Sequence, residues 1–498
     1  MPRPINFRSS SAQMSLSRRA LLKAAAAMGV VGTLPALRAR ADVAAPALPA
    51  RLLFVVAGAG GASITDSFLP VTDTEAGAAA ATLAVQPSSL VETVGGFRCV
   101  GRKNVDIGGL PLGGSFLQRT FLQKHGADTV VMTVESTSVN HLVGQKRFVT
   151  GANINQGRTI MEAAAAVHGL SLPLPNCNLA DGGYLEPGDD VTLDARARPE
   201  AIADPRTFPL ALDGIRGVRG APDAAFVRRA RRVRDQLEDQ SPFGHTFRDT
   251  KLRTDFLERR RTFLPDAEAR GLITQLMLVQ DDPARFPLTE SGLQSSPDGA
   301  RVREKFPDLL SDPLDAQAAL AFMLAKTGVA QAITISPSFA PVLDGATLEN
   351  PPLAFDFSHN DHPGTQNVMW SRILQTVDGL VDLLKSEPDG QGGTLWDRSL
   401  VYIATDFGRE KIRPENATSF GTGHHLNNGV VMVSPLLNGG RVYGGVDPTT
   451  LLTHGFDPAT GDPAPGTVMR EGDVYAVIAS ALGVDYAGKR QFPALVRA

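Results

Sequence analysis

The stretch Arg51-Leu52-Leu53-Phe54-Val55-Val56-Ala57, closed by Gly58-Ala59-Gly60-Gly61, sets the reading of this chain. A short apolar run rich in Val and ended by glycines predicts a buried strand with a tight turn at its carboxyl end. Working outward, residues 128–134, 332–336, 400–405 and 429–433 repeat the same pattern. Between them lie stretches with helical spacing: residues 115–125, a segment starting after His141, 315–326 stopped by Gly328, 365–385, and 473–482. In the 365–385 segment Val368, Ile373, Val377, Leu380, Val381 and Leu384 fall on one face. Alternating strands and helices predict an α/β fold, a mostly parallel sheet sandwiched by helices. Ligands of such sheets sit beyond the carboxyl ends of the strands.

The 498 residues are 43% hydrophobic and 20% charged, which excludes a disordered chain. The 49 basic and 52 acidic residues leave no surplus to neutralise phosphates, so no nucleic acid partner is expected. Residues 1–41 read as a twin-arginine signal peptide: Ser17-Arg18-Arg19-Ala20-Leu21-Leu22-Lys23, a mild apolar run over 24–37, then Ala39-Arg40-Ala41 as a small-x-small cleavage site. This predicts passage through the twin-arginine translocase to the periplasm or the medium. The segment holds seven basic residues and no acid, so the mature chain would carry 42 basic against 52 acidic side chains, a formal −10. No integral membrane span is expected in that mature chain. Residues 42–50 read as an Ala/Pro linker and 51–498 as a single domain with a charge-rich helical insertion at about 220–310. Its clusters Arg228-Arg229-Ala230-Arg231-Arg232 and Arg259-Arg260-Arg261 are interleaved with acids and read as solvated helix faces. An oxidising compartment would permit a disulfide between Cys99 and Cys177, but nothing in the sequence pairs them.

Nine histidines are present, and five gather in three polar clusters. These are Asn140-His141, then Asp356-Phe357-Ser358-His359-Asn360-Asp361-His362, then Gly421-Thr422-Gly423-His424-His425. Each is expected in a loop following a strand, and Asp406 stands at the carboxyl end of the 400–405 strand. Imidazoles mixed with carboxylates suit Zn, Mn or Fe, whereas carboxylates alone favour Mg or Ca. Converging loops would bring Asp356, His359, Asp406 and His424 around one cation, able to polarise an ester oxygen and acidify a bound water. His125, His168, His245 and His454 read as surface or hydrogen-bonding residues. Arg409 reads either as a holder of an anionic oxygen or as a clamp fixing a turn. Asp406-Phe407-Gly408 has no accompanying kinase motif. Residues 58–61 lack the pattern of a dinucleotide-binding loop.

These landmarks, in this order and with the Gly439-Gly440-Arg441-Val442-Tyr443-Gly444 segment read as a hairpin, resemble the alkaline phosphatase and sulfatase superfamily. More narrowly, they resemble the bacterial, often twin-arginine-exported domain-of-unknown-function 1501 family, over about residues 51–485. The resemblance implies one ion held by an Asp and two His, here Asp356, His359 and His424, and a second for which Asp406 is the ligand. It places the nucleophile ten residues before the Gly of a Thr-Gly pair. Counting back from Gly151 gives His141, with Thr137 and Ser138 close by. Ala59 or Gly60 stands where the first strand should deliver an Asp, leaving Asp66 as the nearest substitute, and Phe407 stands where a second-site His is usual. The expectation is a hydrolase of phosphate or sulfate esters with a degraded two-metal site. His141 would be nucleophile, base or ligand, the cation Zn, Mn, Mg or Ca, and the substrate an anionic small molecule or envelope polymer. The alternatives are a non-catalytic envelope protein on the same fold and an exported metalloenzyme with other chemistry.

Overall fold

The computed structural model describes residues 51–337 and 354–497, apart from 102–105, 108–109, 112–116, 181, 207, 209–221, 252, 259, 262–271, 277 and 279–296. The expected signal peptide and the 42–50 linker lie outside the described residues. The chain divides into two compact units, Pro222–Arg253 and the remainder from Ala45–Ala221 and Thr254–Ala498.

The larger unit is mixed α/β. Its main sheet has eight strands: β1 (Leu52–Gly58), β2 (Thr129–Glu135), β3 (Asn176–Asn178), β4 (Glu200–Ala201), β5 (Ala332–Ile335), β6 (Ser399–Thr405), β7 (Asn427–Val433) and β8 (Arg441–Tyr443). Their spatial order is β8-β2-β7-β6-β1-β5-β3-β4. Every neighbouring pair is parallel except those made by β7, which runs against both β6 and β2. In β1 all seven residues are buried, and successive side chains enter opposite layers. Leu52, Phe54 and Val56 join one core, while Leu53, Val55 and Ala57 join the other. β6 divides the same way, with Val401 and Ile403 on one side and Leu400, Tyr402 and Ala404 on the other. This two-residue period with both faces apolar is why these runs are strands covered on both sides. Burying each large aliphatic side chain contributes about 1.5–3 kcal/mol.

The covering helices are α1 (Gln118–His125), α2 (His141–Thr150), α3 (Ile160–His168), α5 (Pro313–Lys326), α6 (His362–Ser386) and α7 (Glu471–Ala481); α4 (Ala224–Gln240) belongs to the smaller unit. α5 and α6 supply one core, including Leu320, Phe322, Ile373, Val377, Leu380 and Leu384, and parts of α2, α3 and α7 supply the other. α6 starts where Asp361 caps it, its carboxylate accepting the Gly364 N–H at 3.2 Å, with Pro363 in the first turn. In the smaller unit Asp223 caps α4 by accepting the Ala225 N–H at 2.7 Å. Ser241 caps the short helix Pro242–Thr246 that follows.

One expectation changes. Arg441–Tyr443 is not one arm of a hairpin but the edge strand of the main sheet, parallel to β2 with Tyr443 opposite Met132. The Tyr443 ring is buried and its hydroxyl donates to the Asn438 and Ala494 carbonyls, which pins this segment to the sheet. Cys99 and Cys177, whose pairing the sequence leaves open, are both buried free thiols. Among the described residues no helix is long and apolar enough to cross a membrane.

Candidate metal centre

The three polar clusters arrive at one rim of the sheet. β1 and β6 end there in residues 58–61 and Asp406, and β2 leads there into the turn before α2. The third cluster reaches the rim from the opposite direction. His424 precedes β7, and because β7 is antiparallel its amino end lies beside the carboxyl ends of its neighbours. A loop leading into a strand, not only loops leaving strands, therefore builds the site.

His141 is the first residue of α2, behind the cap Asn140, whose side chain accepts the Val143 N–H at 3.2 Å. Asp356 and His359 sit on a 3-10 turn, Ala354–His359. His424 lies in a short antiparallel pairing opposite Arg409. His141, Asp356, His359 and His424 each offer one ligand atom, and these atoms all lie within 4.8 Å of one another. His141 Nε2 is 3.1 Å from Asp356 Oδ1, His359 Nε2 is 3.5 Å from the same oxygen, and His359 Nε2 is 2.8 Å from His424 Nε2.

What the far side of each ring touches decides how this group is read. His141 Nδ1 is 2.8 Å from Asp406 Oδ2, and His424 Nδ1 is 2.7 Å from the Val139 carbonyl. A carboxylate and a carbonyl can only accept, so both Nδ1 atoms carry hydrogen and both Nε2 atoms point inward. His359 bonds the Thr422 backbone. Outer acceptors that fix the tautomer of inward-facing imidazoles are the usual second layer of a metal centre. Three imidazoles and one carboxylate suit a four-coordinate transition ion, whose ligands at about 2.0–2.2 Å stand roughly 3–4 Å apart. The donors present fit such an ion.

Asp406 stands behind this group rather than within it. It is fully buried. Besides His141, it accepts the Gly60 N–H at 3.0 Å, the Gly61 N–H at 2.7 Å and the Gln145 amide at 3.4 Å. The glycine turn after β1 is thus a backbone nest for the Asp406 carboxylate. Gly61 has φ of +85°, and a Cβ there would lie 2.8 Å from Arg409 Nε. Gly144 has a similar role, since a Cβ would come 2.4 Å from the Asp406 carbonyl oxygen and push α2 off the loop it holds.

Arg409 is fully buried and grips the turn. It donates to the carbonyls of Gly60, Phe355 and Thr422 and to Asp356 at 3.2 Å. Of the two roles open to it, these contacts are those of a clamp. Thr137 and Ser138 are engaged elsewhere. The Thr137 hydroxyl donates to Glu471 at 2.7 Å and accepts from Arg147, and Ser138 Oγ accepts the Asn140 N–H. Asp66 pairs with His362 at 3.0 Å rather than joining the four donors. Phe407 stacks on the His424 ring, centroids 4.1 Å apart, and fixes its plane.

The charges are strongly coupled. Burial opposes an imidazolium at His141, but the hydrogen bonds and charges of Asp356 and Asp406 outweigh it and push its pKa up to about 9. Burial opposes ionisation of Asp356, and His141, Arg409 and His359 together bring it down to about 2. Burial and the nearby Arg409 charge lower His359, and burial, Arg409 and His141 lower His424, so both rings stay neutral at pH 7. Sequence reasoning missed Gln145 and Asn428. Asn428 accepts the Ile64 N–H and donates to the Ala62 and Phe407 carbonyls, tying the loops after β1 and β6 to β7. Lone amides in loops carry no pattern that would single them out.

No family model matches the chain, and no curated protein matches it. Among solved structures it is similar to Ps i-CgsB in complex with k-i-k-neocarrahexaose, with 11% identity and a TM-score of 0.29, over 90% of this chain and 76% of that one. It is also similar to PsFucS1 sulfatase from Pseudoalteromonas sp., with 9% identity and a TM-score of 0.30, over 87% of this chain and 68% of that one. Likeness of this size assigns no activity to the chain.

Proposed function

We propose that this is an exported metal-dependent hydrolase of phosphate or sulfate esters, related to the alkaline phosphatases and sulfatases, with a single four-donor centre. The observation that carries this reading is the inward set of His141, Asp356, His359 and His424, backed by Asp406 and the Val139 carbonyl. Asp356, His359 and His424 hold the ion, His141 is the fourth donor, and Asp406 orients His141. Bound there, a Zn- or Mn-like ion would polarise an ester oxygen and lower the pKa of a water only by taking it in place of His141 or as a fifth ligand. The protein's own part is to fix the ring planes, keep His359 and His424 neutral, and take up a proton at His141 Nε2 when the ion is not bound. Export is supported by Arg18-Arg19 with its apolar run and small-x-small site.

The test is metal analysis and calorimetric titration of folded, unchelated protein, followed by assays on para-nitrophenyl phosphate and sulfate. One divalent ion per chain and ester turnover abolished by chelation are expected. A protein that neither retains nor takes up an ion loses the reading. One that binds an ion but turns over neither ester keeps the centre and loses the chemistry.

A further inference from the structure

Asp66, His362 and the Thr422 hydroxyl form a second chain of side-chain contacts, separate from the four donor side chains. Asp66 Oδ2 lies 3.0 Å from His362 Nε2, and His362 Nδ1 lies 3.0 Å from Thr422 Oγ1. Its members are buried: Thr422 and His362 are 3% and 1% exposed, and the Asp66 side chain 7%. The other Asp66 oxygen accepts from Gln86 Nε2 at 3.1 Å. A carboxylate only accepts, so His362 Nε2 carries a hydrogen, and Nδ1 shares a hydrogen bond with the Thr422 hydroxyl, which also lies 3.5 Å from the Ser358 carbonyl. The order hydroxyl, imidazole, carboxylate is that of a nucleophile relay, but the hydroxyl is sealed from solvent.

Its place in the chain shows what it holds. Thr422 is two residues before His424, and His362 three after His359. Around the relay the two loops are stitched by their backbones. Thr422 N–H donates to the Ser358 carbonyl at 2.8 Å, and His362 N–H donates to the Phe420 carbonyl at 2.8 Å. The Phe420 ring stacks on His362, centroids 5.5 Å apart at 26°. The loop bearing Asp356 and His359 and the loop bearing His424 are therefore locked in register at one buried point, which is anchored through Asp66 to the loop after β1.

We propose that Asp66, His362 and Thr422 are positioning residues that preorganise the centre, so that the Thr422 hydroxyl sets how tightly the four donors grip a divalent ion. This rests on the metal reading above. Positioning of this kind is worth roughly 10–100-fold in metal affinity. The experiment measures Zn2+ affinity by chelator competition, the visible spectrum of the Co2+-loaded protein, and melting of the metal-free protein. It compares wild type with Thr422→Val, Thr422→Ser and Asp66→Asn. Val keeps the volume without the hydroxyl, and Ser keeps the hydroxyl. The expected result is Zn2+ affinity lowered at least about tenfold in Thr422→Val and Asp66→Asn, with an altered Co2+ spectrum. Thr422→Ser should remain close to wild type in both. Equal affinity and spectra in all four proteins would overturn the proposal. So would equal losses in the Ser and Val variants, which would trace the effect to packing of the methyl group. If either variant fails to fold, Asp66→Asn decides by the same two readouts. A wild type that binds neither Zn2+ nor Co2+ would instead remove the centre itself, and this inference with it.

Discussion

Among the described residues two groups of side chains meet the same distance condition for holding an ion, and they differ in what stands behind them. One is His141, Asp356, His359 and His424 at the rim of the sheet; the other is His125, Asp378 and Asp382 between α1 and α6. In the second, ammonium groups already occupy the acceptors. Lys124 Nζ is 2.5 Å from Asp378 and 2.8 Å from Asp382, Lys305 Nζ is 3.1 Å from Asp382, and Lys385 Nζ is 3.3 Å from His125 Nδ1. At the rim Asp356 is paired with the His141 ring, itself one of the four donors, and with Arg409, whose guanidinium is also tied to three backbone carbonyls. There the outer Nδ1 atoms of His141 and His424 meet acceptors, which turns their Nε2 atoms toward the other donors. Proximity of donors is common; donors whose far sides are fixed by acceptors and whose near sides meet one another rather than ammonium groups are what an ion needs.

The comparison breaks most sharply if the two groups respond alike. His359→Ala or His424→Ala removes an inward imidazole, and bound metal per chain should fall from one toward zero. His125→Ala and Asp378→Asn should leave it unchanged. Metal content after gel filtration checks this, and equal losses in both regions would erase the distinction. Next in size is Asp406→Asn, which removes the acceptor charge behind His141. Metal affinity should drop roughly 10–100-fold. Apo stability should fall as well, since His141 loses a charged partner in a buried network. Calorimetric titration beside thermal melts separates the two effects.

Gly144→Ala sharpens the comparison from the backbone side. Its Cβ would meet the Asp406 carbonyl at 2.4 Å, so overpacking of about 1–3 kcal/mol is expected, measurable as a lowered denaturant midpoint. The smallest effect is in pH. The folded His141 pKa of about 9 lies above its ordinary 6.5. Its contribution to the metal-free protein is therefore complete below about pH 6.5 and is lost as pH rises through 9. The Asp356 pKa of about 2 lies below its ordinary 3.8, so its contribution is present above about pH 4 and lost as pH falls through 2. Melting curves of chelated protein should thus decline from pH 6.5 to 9. Metal binding at pH 7 should release about one proton, from His141, read by calorimetry in buffers of different ionisation enthalpy. No release would mean that His141 is not a ligand.

Much of the fold was legible because burial writes a local period. The runs at β1, β2, β5, β6 and β7 are apolar on both faces, and the 365–385 stripe predicts most of α6. β3, β4 and β8 were not legible as sheet strands. They are two or three residues long, too short to show a period, and exist because neighbours offer an open edge. Residue chemistry marked out Asp356, His359, Asp406 and His424 as candidate ligands, since Asp and His in strand-end loops are noticeable. Only the tertiary structure could bring His141 in as a fourth donor and set Asp406 behind it, because the antiparallel course of β7 and the tight approach of α2 at Gly144 are long-range facts. The sequence by itself determined which side chains can bind and which segments are buried. Which nitrogen faces inward, and which carboxylate orients instead of binding, depends on acceptors hundreds of residues away along the chain, and no local pattern encodes that.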